Sequence, residues 1–506
     1  MASEFDISII GDRSIFEQNR LPAHAEFHTY YNDKKDPEKS SGSFISNRVI
    51  SLDGIWKFFY AKNPDEAHKD FFKNDFDHTS FDEINVPGHI QFQGYDKPHY
   101  TNTAYPWDGW EDVERGGVPK KFNPTAQYVK VFDVKKELVS KSLRISFQGV
   151  ESAAAIWLNG SYVGYMENSF DPSEFDITGL VKEGENRLCV EVFKWCSGSW
   201  CEDQDFFRLS GIYRSVYIYA VSDTHLEDIG VRTNLDDDLC RGTLKINALL
   251  GKKGGIKYSL IDTELYADIY DDATTGKVVY ESEIISCDEK KDGKYQIEIT
   301  SPDIDAPKLW SAEEPNLYKL MVSVFDEEGY EEERTILAVG FRRFEMKEGL
   351  MCLNGKRIVF KGVNRHEFSS LSGRAVSDEE IITDIFTMKK NNINAIRTCH
   401  YPDDVRIYDL CDRYGLYMIA ENNLESHGSW IMHDTVDEIE KIVPGDDMSW
   451  APMLLDRVRS CYERDKNHPA ILIWSCGNES FGGCVLAEMA GLFRTLDDTR
   501  LVHYEG

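Results

Sequence analysis

Four short segments in the C-terminal third of the chain hold the residue types that do chemistry. They are Asn364-Arg365-His366-Glu367, Arg397-Thr398-Cys399-His400-Tyr401, Glu421-Asn422-Asn423-Leu424-Glu425-Ser426-His427 and Asn478-Glu479. The last follows Ala470-Ile471-Leu472-Ile473-Trp474-Ser475-Cys476-Gly477, a run apolar enough for a strand covered on both faces. A carboxylate just past such a strand is placed for general acid–base work at the carboxyl end of a parallel sheet. Gly477 lets the backbone turn there, and Asn478 adds an amide able to hold a hydroxyl group. Glu425 and His427 are two apart, so on extended backbone their side chains face the same way. With Glu479 they make two carboxylates and an imidazole, a donor set suited to magnesium or manganese. The same spacing suits a hydrogen-bonded Glu–His pair without metal equally well. His366 and His400 can orient ligand hydroxyls, although each taken singly reads as a satisfied structural histidine.

These segments need a frame that delivers them together. After about residue 342, short apolar runs at 358–360, 395–397, 416–419, 471–474 and 501–504 alternate with helical patterns. A capping box, Ser377 with Glu380, announces the first helix, and Ile381, Ile382, Ile385 and Met388 follow at helical spacing. Strand and helix in alternation give a parallel sheet, open or closed into an α/β TIM barrel. Five strands fit before Gly506, so the barrel is expected to be incomplete, with about five of eight strands.

Upstream the chain is rich in strands. The runs at 54–60, 142–147 and 186–192 have aromatic and β-branched content, and Asn159-Gly160 is a hairpin signal. This part predicts an all-β jelly roll. A second set of strands, including 243–248 and 318–324, predicts an immunoglobulin-like β-sandwich. In the first part, Tyr100-Thr101-Asn102 and the acidic Glu202-Asp203-Gln204-Asp205, close to Trp195 and Trp200, fit a cation site with a hydroxyl-binding wall. They also fit a solvated turn over a core.

The formal charge of −31 argues against nucleic acid or an anionic membrane as partner, and suits a neutral small-molecule substrate. Eleven cysteines without framework spacing read as reduced thiols, and the N-terminus has no secretory pattern. A cytoplasmic protein is the expectation.

Read in order, a set of motifs carries a resemblance. It comprises Gly94-Tyr95-Asp96 with Tyr100-Thr101-Asn102, Glu202-Asp203-Gln204-Asp205 with Arg208 and Ser210-Gly211-Ile212, and Leu309-Trp310-Ser311-Ala312. Further on come Gly362-Val363-Asn364-Arg365-His366-Glu367, His400-Tyr401-Pro402, Cys411-Asp412-Arg413-Tyr414-Gly415-Leu416-Tyr417 and Trp474-Ser475-Cys476-Gly477-Asn478-Glu479-Ser480. With these the chain closely resembles the β-galactosidases of glycoside hydrolase family two from about Asn19 to Gly506. The resemblance implies an N-terminal extension at 1–45, a jelly-roll sugar-binding domain at 46–221, an immunoglobulin-like domain at 222–341 and a TIM-barrel part at 342–506. It implies that Glu479 is the general acid/base, that Glu425, His427 and Glu479 ligate Mg2+ (or Mn2+), and that Asp205 touches both galactose and a monovalent Na+ or K+. Asn102, His366, His400 and Asn478 match sugar contacts.

The family's nucleophilic Glu lies in a Glu-Tyr-x-His segment beyond the fifth barrel strand. The chain ends at His503-Tyr504-Glu505-Gly506, and Glu505 is in the wrong place for that role. The expectation is therefore the large segment of a β-galactosidase, acting on lactose-like β-galactosides by a retaining two-carboxylate mechanism. It carries the acid/base, lacks the nucleophile, and depends on a complementing C-terminal chain or a homo-oligomer. The alternatives are a β-glucuronidase or β-mannosidase of the same family, in which Asp205 within Glu-Asp-Gln-Asp is not expected, and a non-catalytic carbohydrate-binding fragment.

Overall fold

Alternation of buried and exposed side chains builds the upstream strands into sandwiches. In Arg241–Leu250 every second residue from Gly242 is buried, the period of a strand with one face on a core. The computed structural model describes residues 4–31, 48–263, 276–287, 290–291, 293–431 and 441–506. Its first sandwich sets a seven-stranded antiparallel sheet containing Thr125–Val134 and Gly184–Phe193 against a four-stranded sheet containing Ser142–Phe147 and Val216–Val221. Trp56, Phe58, Tyr128, Ile145, Ile156, Val190 and Ile218 fill the space between, each worth about 1.5–3 kcal/mol when fully buried. Asn159 and Gly160, with φ of 52° and 82°, turn the hairpin between Ala153–Leu158 and Ser161–Glu167, as that dipeptide favours.

The second sandwich pairs a five-stranded sheet around Leu226–Leu235 and Arg241–Leu250 with a six-stranded sheet around Gly254–Asp262, Tyr318–Asp326 and Glu331–Val339. Leu244, Ile246, Tyr258, Leu320 and Val322 are buried between them. The described part of the N-terminal segment is woven into both sandwiches. Glu17–Gln18 pairs with Ser161–Glu167, and His28–Tyr31 pairs with Glu331–Val339. Residues 32–45 of the expected extension lie outside the described residues.

The third unit is a parallel sheet in the order β1 (Gly362–Arg365), β2 (Ala395–Thr398), β3 (Tyr417–Glu421), β4 (Ile471–Asn478) and β5 (Leu501–Glu505). Helices α1 (Asp378–Lys390), α2 (Val405–Tyr414), α3 (Ala451–Asp465) and α4 (Cys484–Leu496) connect them. Every residue of β4 is buried, as expected of a central parallel strand. The capping box of α1 is present, and Ile381, Ile385 and Met388 face the core while Ile382 is half-buried. One strand expectation is corrected: residues 358–360 are not β1, which begins at Gly362. The Ile358 amide donates to the Met351 carbonyl, which ties this run to the preceding small sheet, and pairing with β2 starts only at Gly362↔Ala395.

Candidate active site

The carboxyl ends of β1 to β4 meet on one side of the sheet, where β4 is shaped by a close backbone approach. Gly477 has φ of 138°, and a Cβ there would lie 2.5 Å from the Leu424 carbonyl oxygen. The Asn478 amide donates to that same carbonyl at 2.9 Å. Only glycine permits this contact, which sets residues 422–427 against the end of β4. Glu479 follows with φ of 29°, a sparsely populated backbone state of the kind found at functional sites. Its carbonyl accepts from Trp430 Nε1 at 2.9 Å, and its amide donates to Glu505 O at 2.8 Å. Its side chain is 39% exposed.

Glu425, His427 and Glu479 converge, each offering a ligand atom within 4.8 Å of the others. Glu425 is fully buried, and neither of its oxygens has a well-formed hydrogen bond. Burial, followed by the negative charge of Asp203, holds its carboxyl well above the usual range. The neighbouring Asn478 amide counters this weakly, without reaching proper hydrogen-bond geometry. His427 Nδ1 lies 2.8 Å from Glu479 Oε2, yet the contact lacks hydrogen-bond alignment. A buried carboxylate left unsatisfied is costly. Two carboxylates and an imidazole pointed at one spot without bonding each other fit a hard divalent cation.

Arg397, from β2, organises the floor beside these groups. It forms a bidentate pair with Glu421 of β3 at 2.6 and 2.9 Å, and donates to Asn478 Oδ1 at 3.0 Å. His400 Nδ1 lies 2.6 Å from Glu421 Oε1. Burial would raise the Glu421 carboxyl, but the His400 hydrogen bond and Arg397 charge outweigh it and bring it below its ordinary value. His366 Nδ1 lies 3.3 Å from Tyr401 Oη, and its ring stacks on Phe206 of the first sandwich at 5.0 Å. Burial, then the charges of His400 and Arg374, lower its pKa to about 4.

The first sandwich delivers the rest. Asp205 is exposed and accepts from Tyr100 Oη at 2.5 Å. The antiparallel register Phe206↔Thr101 carries the chain on so that Asn102, also exposed, stands opposite Asp205. His366, His400, Asn478, Glu425, His427 and Glu479 are thus brought together by the sheet. Asp205 and Asn102 reach the same region from another domain, through the contact of Phe206 with His366.

An interdomain ladder fixes that approach. Glu425 N donates to Cys201 O at 3.0 Å, and Asp203 N to Glu425 O at 2.9 Å. Arg457 of α3, fully buried, donates to Asn423 O at 3.0 Å, to Gly198 O and to Cys201 O, and pairs with Glu202 at 2.9 Å. Asp203 caps the Gly428 amide and pairs with Arg208. Sequence reasoning had not singled out Arg397, Glu421 or Arg457 for these parts. Arg457 did leave a signal, since it falls on the apolar stripe Leu454, Val458, Cys461 of its helix, where a charge needs a partner.

Comparison with known proteins shows the family of the chain. Residues 49–222 match the model of the glycosyl hydrolases family 2 sugar binding domain, 224–342 that of glycosyl hydrolases family 2, and 344–506 that of the family 2 TIM barrel domain. The chain is 48% identical to a β-galactosidase of Halalkalibacterium halodurans over all of its own length and 48% of that protein. It is 39% identical to a β-galactosidase large subunit of Lactobacillus helveticus over 99% of itself and 78% of that protein. Among solved structures, a β-glucuronidase of Bifidobacterium dentium superposes with a TM-score of 0.69 at 23% identity, over 91% of this chain and 74% of that one; this likeness speaks to fold. The chain spans about half the length of the β-galactosidases of Halalkalibacterium halodurans and Clostridium acetobutylicum. On three consecutive domain matches and the large-subunit relative, the chain belongs to the glycosyl hydrolases of family 2.

Proposed function

We propose that this chain supplies the acid/base half of a retaining β-galactosidase site, with Glu479 as the proton donor to the leaving oxygen. The observation that carries the reading is the placement of Glu479 directly after β4, its side chain accessible, between Asn478 held by Arg397 and the pair Glu425–His427. The β-galactosidase relatives at 39–48% identity support galactose as the sugar, whereas the β-glucuronidase likeness is one of fold. Asn102, Asp205, His366, His400 and Asn478 hold the sugar hydroxyls. A substrate lacking or inverting one hydroxyl leaves these polar groups unpaired in the complex, which rejects it. Asp205 also takes a monovalent cation, Na+ or K+.

A retaining hydrolase needs a second carboxylate about 5–5.5 Å from the first. Glu425 offers an oxygen within 4.8 Å of one of Glu479, but it is fully buried, and burial with the negative charge of Asp203 holds its carboxyl well above the usual range. It cannot reach an anomeric carbon, and we assign it to a cation instead. The nucleophile then comes from a complementing C-terminal segment, in keeping with relatives named as a large subunit. Glu425, His427 and Glu479 would hold Mg2+ or Mn2+, which would supply positive charge beside the buried Glu425 carboxyl and the Glu479 side chain. No described helix is long and apolar enough to cross a membrane, and the expected setting is the cytoplasm acting on lactose-type substrates. The test is hydrolysis of a chromogenic β-galactoside by the 506-residue chain alone and by the chain completed with the remaining half of a β-galactosidase relative. Activity confined to the completed protein is the expected result. Turnover by the chain alone would contradict the division of the two carboxylates.

A further inference from the structure

A second cluster of metal-competent atoms lies in the same floor and differs in chemistry from the carboxylate site. His366, Cys399 and His400 each offer a ligand atom within 4.8 Å of the others. Cys399 is 1% exposed. The two imidazole rings stand at 90° with centroids 5.4 Å apart. His400 Nδ1 is held 2.6 Å from the buried Glu421 carboxylate, an acceptor that calls for a proton on Nδ1 and directs Nε2 away from it. His366 Nδ1 meets Tyr401 Oη at 3.3 Å, a hydroxyl that can donate to this nitrogen or accept from it. A carboxylate behind a histidine is the usual outer support of a metal-bound imidazole, fixing its tautomer and raising its basicity.

We propose that His366, Cys399 and His400 form a site for a thiophilic divalent cation, Zn2+ first among them, and that its occupancy shuts the sugar pocket. Two imidazoles and a thiolate are a zinc donor set, with the fourth position left to water. Magnesium, which prefers oxygen ligands, has no hold on them. In a tetrahedral zinc site the Zn–N and Zn–S bonds of about 2.0–2.3 Å put ligand atoms roughly 3.5 Å apart. From separations of up to 4.8 Å the cluster therefore has to close by about 1.3 Å at most, within reach of side-chain rotation. Binding replaces the thiol S–H bond by an S–Zn bond and releases one proton to solvent. The competition with sugar rests on the reading of His366 and His400 as galactose contacts.

The experiment titrates the 506-residue chain with Co2+ and Zn2+. One equivalent of Co2+ should produce a thiolate-to-cobalt charge-transfer band, and Zn2+ should displace it. Cys399→Ser should abolish the band, and His400→Gln should shift it and weaken Zn2+ by on the order of tenfold or more. Glu425→Gln should leave the band intact, separating this site from the carboxylate one. Near-ultraviolet circular dichroism of Cys399→Ser matching the parent shows that the fold survives. A band that persists in Cys399→Ser, or no saturable Zn2+ binding by the parent, overturns the proposal. Galactose should weaken Zn2+ binding. If the Cys399-dependent band is present but galactose leaves it untouched, the zinc site stands and the sugar-contact reading of the histidines fails.

Discussion

Replacing Arg457 by Met tests whether the interdomain ladder positions the site. The guanidinium is fully buried, pairs with Glu202 at 2.9 Å, and satisfies the carbonyls of Asn423, Gly198 and Cys201. Methionine keeps much of the volume but removes the charge. Glu202, 6% exposed at its side chain, keeps hydrogen bonds from Ser169 and Asn423 and loses its ion pair with Arg457. Removing one member of a buried pair costs about 3–5 kcal/mol. At about 1.4 kcal/mol per decade, that is a hundred- to several-thousand-fold faster local opening. The readout is hydrogen exchange at the Asp203 and Glu425 amides, which close the ladder and report local opening. The double variant Arg457→Met/Glu202→Gln, which also removes the stranded charge, should recover much of the loss. Exchange at both amides within about threefold of the parent would refute the positioning role.

Gly477→Ala should disorder the end of β4, because its Cβ would meet the Leu424 carbonyl at 2.5 Å with φ at 138°. A loss of about 1–3 kcal/mol should appear as a lowered thermal midpoint together with lost activity in the completed enzyme, and unchanged activity would contradict the close-approach argument. Burial would raise the Glu227 carboxyl, but Arg144 at 2.8 Å and Lys294 at 3.1 Å bring it to about 2. Its folded pKa is thus depressed, so it stabilises above its unfolded value of about 4.5 and the contribution is lost as pH falls toward 2. On the order of 3 kcal/mol is at stake. Glu227→Gln should flatten the acid limb of the stability–pH curve in that window, and an unaltered limb would remove Glu227 from the account. Chelation of the completed enzyme should lower galactoside turnover, with Mg2+ or Mn2+ restoring it. Full activity in metal-free protein would show that the Glu425–His427–Glu479 cluster needs no cation.

Much of this was legible because local rules were strong. The apolar run ending in Asn478-Glu479, the Ser377 capping box and the Asn159-Gly160 turn each carry a short-range physical signature, and each is present. The convergence of Glu425, His427 and Glu479 followed from a two-residue spacing and the neighbouring strand. What the sequence hid depends on partners far apart in the chain. Residues 358–360 have the composition of a strand, but the Ile358 amide turns to the Met351 carbonyl and pairing with β2 starts only at Gly362. Glu421 reads as the last residue of β3, and only the fold shows it gathering Arg397, His400 and Ser475. The ladder between Cys201–Asp203 and Glu425 joins two domains more than 200 positions apart, which no periodicity can announce.

The central claim is that Glu479 donates the proton, and leaving-group dependence tests it most directly. In the completed enzyme, Glu479→Ala should slow galactosides with poor, alkoxide-like leaving groups by on the order of a hundredfold or more. Activated aryl galactosides, whose leaving groups need little protonation, should lose far less in glycosylation. Equal slowing of both classes, with Glu425 and His427 intact, would contradict the assignment.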